Sequence, residues 1–462
     1  MNRYWVLALA CIASFITVVD LAIVNVALPG MKADLGLGEG TLQWVVIAYG
    51  LPFGGLLLLA GRLGDIWGRR RVLQAGITIF TLASLTAGFA DTTAALIASR
   101  AAQGVGAALI APSALAVVAA TFTELKQRNS ALGVYGATGG GAASVGVLAG
   151  GLLTDGPGWR WIFYVNVPIG VLLVAASFVL LRDDRGDRAG AGFDPRSALA
   201  ATGGLMLGLY ALNRGVEDGW TATSTLTLSA VALALLAAFV RSEQRTAKPL
   251  VSRELLRNRP MIVADLTALF GFGSFFAFIF LTTLLMQQQL GYSATKTGLV
   301  WLITSISAFM IAGLTGAVLA ERFGARRMLT VALLLMGVAA GLLTFIPADP
   351  SFAVDFLPAL LCAGLAVGIL GPTVQIAALA QVHEAGFGGA SGLVETSREL
   401  GGAMVIAVVS TVLVAGGSET ALLTGLHDGF GVITGTALAG TLVAAIGFGI
   451  RSRRTVVAPV PA

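Results

Sequence analysis

The sequence predicts an all-α integral membrane protein of fourteen spans arranged as six, two and six. Three observations carry that expectation. Apolar residues make up 56% of the 462 and charged residues only 11%, with a mean hydropathy of +0.87, whereas soluble domains carry about 25% charge. Stretches long enough to cross the bilayer, roughly 20 apolar residues over about 30 Å of hydrocarbon, recur from Tyr4 to Ile450. Lysine and arginine are concentrated in alternate connections, the bias that orients membrane helices.

The first stretch, 5–28, is longer than a signal-peptide core and lacks a clear small-residue cleavage site before the next apolar run, so it reads as a retained span. Spans at 41–60, 72–90, 94–121, 131–153 and 162–181 complete a first group of six. A pair follows at 197–213 and 225–240, flanked by the charged segments Arg182 to Arg196 and Arg241 to Arg259 and joined by a Gly-containing turn from Asn213 to Thr223. Spans at 261–286, 298–320, 328–346, 353–380, 389–415 and 429–450 form the second six. The expected organisation is therefore an N-terminal bundle over 1–181, connectors with two extra helices over 182–260, a C-terminal bundle over 261–450, and a tail over 451–462.

Topology follows from the cations. If the N-terminus is inside, only Lys32, Arg160, Arg214 and Lys296 of the 29 lysines and arginines lie in outside loops, Arg100 lies within a span, and all others fall inside. An even span number puts both termini in the cytoplasm. The two sixes also echo each other, since Gly61-Arg-Leu-Gly-Asp-Ile-Trp-Gly-Arg-Arg-Arg71 aligns with Ala317-Val-Leu-Ala-Glu-Arg-Phe-Gly-Ala-Arg-Arg327. Asp65 matches Glu321, Trp67 matches Phe323 and Gly68 matches Gly324, which points to a duplicated bundle.

Composition also excludes. The basic balance is explained by topology rather than by a nucleic-acid face. Cys11 and Cys362 lie singly in apolar spans, and His383 and His427 in loops, so neither disulfides nor a metal site are expected. No GxxxxGK phosphate loop occurs, which argues against ATP as fuel, and no nucleophile with its base suggests an enzyme. No cofactor is expected. Abundant Arg, Ala and Gly point to a GC-rich bacterial genome.

Ionisable residues at bilayer depth are costly, by at least about 2.5 to 3.5 kcal/mol each, so each should face a cavity or a partner. Asp20 and Arg100 fall near one level of the first bundle, with Asn25 and Gln103 as hydrogen-bonding neighbours. Burial and a guanidinium act oppositely on a carboxylate, so Asp20 is either a proton carrier or half of a permanent ion pair. In the second bundle Glu399 lies near mid-membrane, with Glu395, Arg398 and Asp265 nearer the cytoplasmic end. Glu395 and Glu399 share a helix face, which disfavours double ionisation. Asp265 and Glu395 read equally well as solvated residues near the membrane surface.

The glycines of the 61–71 segment, Gly61, Gly64 and Gly68, allow close helix contact, and Asp65 suits the positive N-terminal end of a helix in the other half. Gly146 and Gly150 form a GxxxG pair in a glycine-rich fifth span. Aromatic residues crowd the ninth span, including Phe275 and Phe276; most can face lipid, while a few, with Trp44, Tyr49 and Gln287 to Gln289, suit a cavity for lipophilic cations.

The 61–71 segment resembles the signature loop of the major facilitator superfamily. The six, two, six plan, Asp20-Leu-Ala-Ile-Val-Asn-Val-Ala-Leu-Pro29, Arg100-Ala-Ala-Gln-Gly-Val-Gly106 and Ala390-Ser-Gly-Leu-Val-Glu-Thr-Ser-Arg-Glu-Leu-Gly-Gly402 are similar to the fourteen-span drug:proton antiporters of that superfamily. The resemblance implies the major facilitator fold in a bacterial inner membrane, proton-coupled export of amphiphilic or lipophilic cationic drugs, and a latch at Asp65 and Arg69 on the cytoplasmic side. Expected partners are small amphiphilic molecules, protons and membrane lipids, with a monomer sufficient. One departure stands out: Val147 occupies the place of a family proline in the fifth span, so a dedicated metabolite or antibiotic carrier remains open, as does a transport-inactive sensor or scaffold.

Overall fold

Hydrocarbon offers no partner to a backbone N–H or C=O, so a chain of this composition must satisfy them within helices. The computed structural model describes residues 3–182, 192–246, 248–347, 350–414 and 419–448; the predicted tail lies outside them, as does part of the first connector. The helices are α1 (Arg3–Leu35), α2 (Glu39–Trp67), α3 (Arg69–Gly88), α4 (Thr93–Thr121), α5 (Leu125–Asp155), α6 (Trp161–Tyr164), α7 (Asn166–Leu180), α8 (Pro195–Asp218), α9 (Thr223–Arg245), α10 (Arg253–Arg257), α11 (Arg259–Leu284), α12 (Ala294–Leu314), α13 (Ala320–Leu343), α14 (Leu357–Leu379), α15 (Phe387–Val414) and α16 (Glu419–Gly447). Caps mark the starts: the side chains of Thr92, Asp194, Ser252, Asn258 and Ser293 each accept a first-turn amide.

Among the described residues, eleven helices are long and apolar enough to cross a membrane. Three other expected spans are occupied by long helices outside that set. These are α3, opening on three arginines, the glycine-rich α5, and α8, ending in Arg214, Glu217 and Asp218; they run 20, 31 and 24 residues. Two expected boundaries also move. The segment 61–71 is not an open loop, because α2 continues to Trp67 and α3 begins at Arg69, leaving Gly68 as the sole break. The sixth expected span divides into the short α6 and α7 at Val165, where the backbone stays helical at φ -60° and ψ -29°.

The echo between the halves extends to the backbone. Gly68 has φ 95° and its counterpart Gly324 has φ 76°, a region that glycine enters without the steric cost other residues bear. Each lets one helix end and the next begin within a single residue.

Two large apolar cores form, beside a smaller cluster around Ile23, Leu96 and Phe163. One gathers Tyr49, Leu57, Phe80, Leu115 and Leu132, and extends to Leu250, Val251 and Leu255 of the connector and to Phe387 of α15. The other gathers Phe278, Leu333, Leu360, Val409 and Phe430 from α11 and α13 to α16. Small residues let backbones approach where hydrophobic driving force is weak. A methyl group on Gly106 would stand 2.6 Å from the Phe80 nitrogen, and one on Gly104 would press into the Tyr49 carbonyl, so α4 is in near backbone contact with α3 and α2.

The two halves meet in the same way. Gly61 of α2 faces the Gly388 carbonyl of α15, and a methyl on Gly392 would lie 2.8 Å from the Leu57 oxygen. On the other flank, a methyl on Gly136 of α5 would lie 3.0 Å from the Pro372 nitrogen of α14, and one on Gly298 of α12 would lie 3.0 Å from Val147 Cγ1 of α5. The α8–α9 pair lies along the α2–α15 seam. Leu209 and Met206 of α8 sit over Gly54 and Gly55, and Trp220 Nε1 donates to Thr411 Oγ1 of α15 at 2.7 Å.

Gly104→Val should therefore lower stability by about 1–3 kcal/mol through overpacking at a contact that cannot relax. Gly313→Ala, where nothing lies within 4 Å, should leave it unchanged; thermal unfolding in detergent compares the two.

Candidate functional site

Asp20 stands at the middle of α1, where it and Arg100 of α4 are both fully buried. Their charges are compensated by direct contact and by a shell of amides. Arg100 Nη1 donates to Asp20 Oδ2 and to Gln103 Oε1 at 2.8 Å, and its Nε donates to the Val45 carbonyl at 3.0 Å. Asp20 Oδ1 accepts from Gln103 Nε2 at 3.1 Å and from Asn166 Nδ2 at 3.0 Å. Tyr49 lies under the guanidinium, 4.5 Å from its centre, with its hydroxyl donating to the Thr17 carbonyl at 2.9 Å. Arg100 Nη2 makes no hydrogen bond among the described residues.

Geometry explains why these residues meet. Arg100 and Gln103 are three apart and share a face of α4. Asn166 opens α7, and the helical backbone through Val165 carries its amide to Asp20. A carboxylate holding three donors from two other helices is a junction of α1, α4 and α7, and a change in its protonation would disturb that junction.

The second part of the site joins the halves. Asp65 is buried at the end of α2, and its carboxylate accepts from the backbone N–H of Gly388 at 2.9 Å and of Gly389 at 2.8 Å. Those amides belong to the first turn of α15, whose donors have no intrahelical acceptor and carry the positive end of the helix dipole. Gly388 is required here, because a methyl group would lie 2.6 Å from Asp65 Oδ1. Arg69 donates to the Glu384 carbonyl and approaches its carboxylate at 3.3 Å. Gly61 completes the seal by backbone contact, while Gly64 faces Ser113 of α4 and Gly68 forms the turn.

The third part is on α15. Glu395 is buried and paired with Arg398 at 3.5 Å, and Arg398 lies over Phe272 and Phe276, 4.8 and 5.6 Å from the ring centres. Glu399 is half-buried beside them. Gly139 of α5 faces the Arg398 guanidinium, which thus lies where α15 meets the first half.

Other sequence candidates fall elsewhere. Trp44 packs against Tyr210 of α8, with ring centres 5.6 Å apart, so the added helix pair takes up part of its face. Gly146 and Gly150 pack against Val19, Ala22 and Ile23 of α1, within the first six helices rather than between halves. Asn25 is exposed and bonded to its own helix at Leu21, and Gln287 is exposed in a π-helical turn. Phe275 is buried, and Phe276 packs against it and Phe272. Asp265 is half-buried, with Oδ1 unpartnered among the described residues. Asn166 and the amides of Gly388 and Gly389 were not singled out by sequence. An amide side chain inside the sixth apolar stretch is the signal that points to Asn166.

A polytopic helical protein with a buried charge junction in one half and a carboxylate held on helix-end amides between its halves has the architecture of a membrane transporter. The chain belongs to the Major Facilitator Superfamily, whose family model matches residues 10–406. It is 38% identical over 419 residues to the puromycin resistance protein pur8 of Streptomyces alboniger, covering 89% of this chain and 82% of that protein. It is 36% identical to the cephamycin export protein CmcT of Amycolatopsis lactamdurans, covering 92% and 88%, and 33% identical to the multidrug resistance protein Stp of Mycobacterium tuberculosis, covering 91% and 78%. Among solved structures, the human organic anion transporter MFSD10 aligns with a TM-score of 0.70 at 16% identity over 96% of this chain and 100% of that one, a likeness of fold.

Arg100→Ala would leave Asp20 as an uncompensated buried charge and should cost about 3–5 kcal/mol, whereas replacing the pair together by Asn and Met should cost less. Thermal unfolding of both variants in detergent reads the difference.

Proposed function

We propose that this protein is a secondary active transporter that exports amphiphilic or lipophilic cationic compounds in exchange for protons, by alternating access to a midplane site between its two halves. The observation that carries the reading is the Asp20 carboxylate, fully buried yet held by Arg100, Gln103 and Asn166. Such a group can exchange a proton only if its partners rearrange, which couples protonation to helix movement. Glu395, Glu399 and Asp265 are the corresponding acids of the second half.

In this reading the arginine-rich end is cytoplasmic, both termini lie there, and the membrane is the bacterial inner membrane. The chain crosses it fourteen times, with 1–181 and 261–450 as the rocking bundles and the intervening pair as an addition. The latch of Asp65 and Arg69 on α15 corresponds to a carrier closed to the cytoplasm. A monomer suffices, and no cofactor takes part. Relatives named for multidrug resistance and for export of single antibiotics support export as the direction. A second reading, a carrier dedicated to one antibiotic or metabolite, draws on Val147 and on relatives named for puromycin, cephamycin and actinorhodin.

Dye efflux from reconstituted vesicles under an imposed pH gradient tests this. Gradient-dependent efflux that Asp20→Asn abolishes and Glu399→Gln weakens is expected; no gradient-driven efflux of several lipophilic cations by the intact protein would instead favour the dedicated carrier. For the latch, Asp65→Ala should speed thiol labelling of a cysteine placed at the buried Ser391 in a background lacking Cys11 and Cys362, whereas unchanged labelling would deny Asp65 a part in closure.

A further inference from the structure

At the arginine-rich end, outside the transport pathway, a cleft of about 520 Å³ opens between α10 and the α14–α15 connection, lined by Arg253, Glu254, Arg257, Asn258 and Gln381. Its walls are fixed from both sides. Arg253 Nη2 donates to the Gln244 carbonyl at 2.9 Å, and Asn258 Nδ2 donates to the Gln381 carbonyl at 3.4 Å. Leu255, between the two arginines, is buried against Gly389 beside the Asp65 latch. Arg257 makes no hydrogen bond or ion pair among the described residues. Glu254 supplies one negative charge and lies 3.7 Å from His383, so the two arginines leave the cleft positive.

The position of the cleft relative to lipid follows from its neighbours. Leu256, adjoining Arg257, is exposed, as are Ile262 and Leu266 on the next helix. Because α2 and α15 seal the interior at this end, an apolar surface here faces the bilayer. Arginines directly above such a surface stand at headgroup level, where each basic residue near an anionic leaflet gains about 1 kcal/mol. Guanidinium groups fit a phosphate diester, and the amide groups of Asn258 and Gln381 fit hydroxyls beyond it.

We propose that this cleft binds the phosphate of an anionic phospholipid with a polyol headgroup, held by Arg253 and Arg257. The site touches the latch. The same connection that supplies Gln381 carries Glu384, which pairs with Arg69, so a headgroup spanning α10 and Gln381 holds that connection where Arg69 meets it. The bound lipid therefore favours closure at this end.

Native mass spectrometry of the full chain, titrated with phosphatidylglycerol or phosphatidylcholine, tests the site. Intact protein should retain phosphatidylglycerol in preference. Arg253→Gln/Arg257→Gln should weaken its binding about 25-fold, from two residues at about fivefold each, while the exposed pair Arg241→Gln/Arg245→Gln should leave it unchanged. Equal binding by the double variant, an equal loss in the control pair, or complete displacement by excess glycerol 1-phosphate would each overturn a lipid site. Should the double variant not fold, Arg257→Gln alone, which breaks no hydrogen bond, carries the test at about fivefold.

Discussion

Every feature of this molecule is subordinate to one constraint, that polar groups removed from water into hydrocarbon must find their partners inside the protein. The backbone meets it by running in helices, interrupted at a few places such as Gly68 and Gly324. Side chains meet it more locally: Asp20 and Arg100 are tolerated at mid-helix because, besides each other, Gln103, Asn166 and the Val45 carbonyl supply most of their hydrogen bonds. Among the buried atoms left without partners in the described residues are Arg100 Nη2 and Asp265 Oδ1, which belong to groups to which we assign proton movement. Unsatisfied groups in an otherwise satisfied interior are where a bound water, proton or substrate has most to gain.

The contact between the halves obeys the same logic with a different balance. A permanent interface would be expected to interlock large apolar side chains. At the α2–α15 end of this seam Phe387 enters the first core, but the closest contacts are glycines in backbone contact and one carboxylate on two amides. Close packing of small residues gives dispersion contact over a short area, and a charge at a helix end is worth about 0.3–1 kcal/mol when exposed and up to about 2 when partly buried. Interactions of that size hold one state without making it irreversible, since population shifts in carriers span only a few kcal/mol. The α8–α9 pair adds a further connection along the seam through Trp220 and Thr411, and its Tyr210 packs on part of Trp44.

The helical class, the places of the long helices and the duplicated Gly68 and Gly324 turns were legible because hydropathy and glycine chemistry act locally. Asp20 and Arg100 could be marked as functional candidates for a related reason: the cost of charge in a membrane depends on depth, and depth is counted along one helix. Asp65 was legible as a residue suited to a helix end. Which helix end, and that Gly388 and Gly389 provide it, required a contact 323 residues away in sequence. Trp44, Gly146 and Gly150 illustrate the opposite case: their chemistry fits several neighbours, and sequence spacing does not choose among them.

By itself, then, the sequence determined what had to be buried as helix, which charges would need partners, and where the chain repeats, since each depends on composition over a single span. Tertiary structure alone decided that Asn166 is the third donor on Asp20, that the GxxxG pair packs on α1, and that connector residues Leu250, Val251 and Leu255 enter the first core. The physical reason is that an isolated membrane helix has its backbone satisfied on every side, so its rotation and its neighbours are set by close packing and paired polar groups that form only when the helices come together.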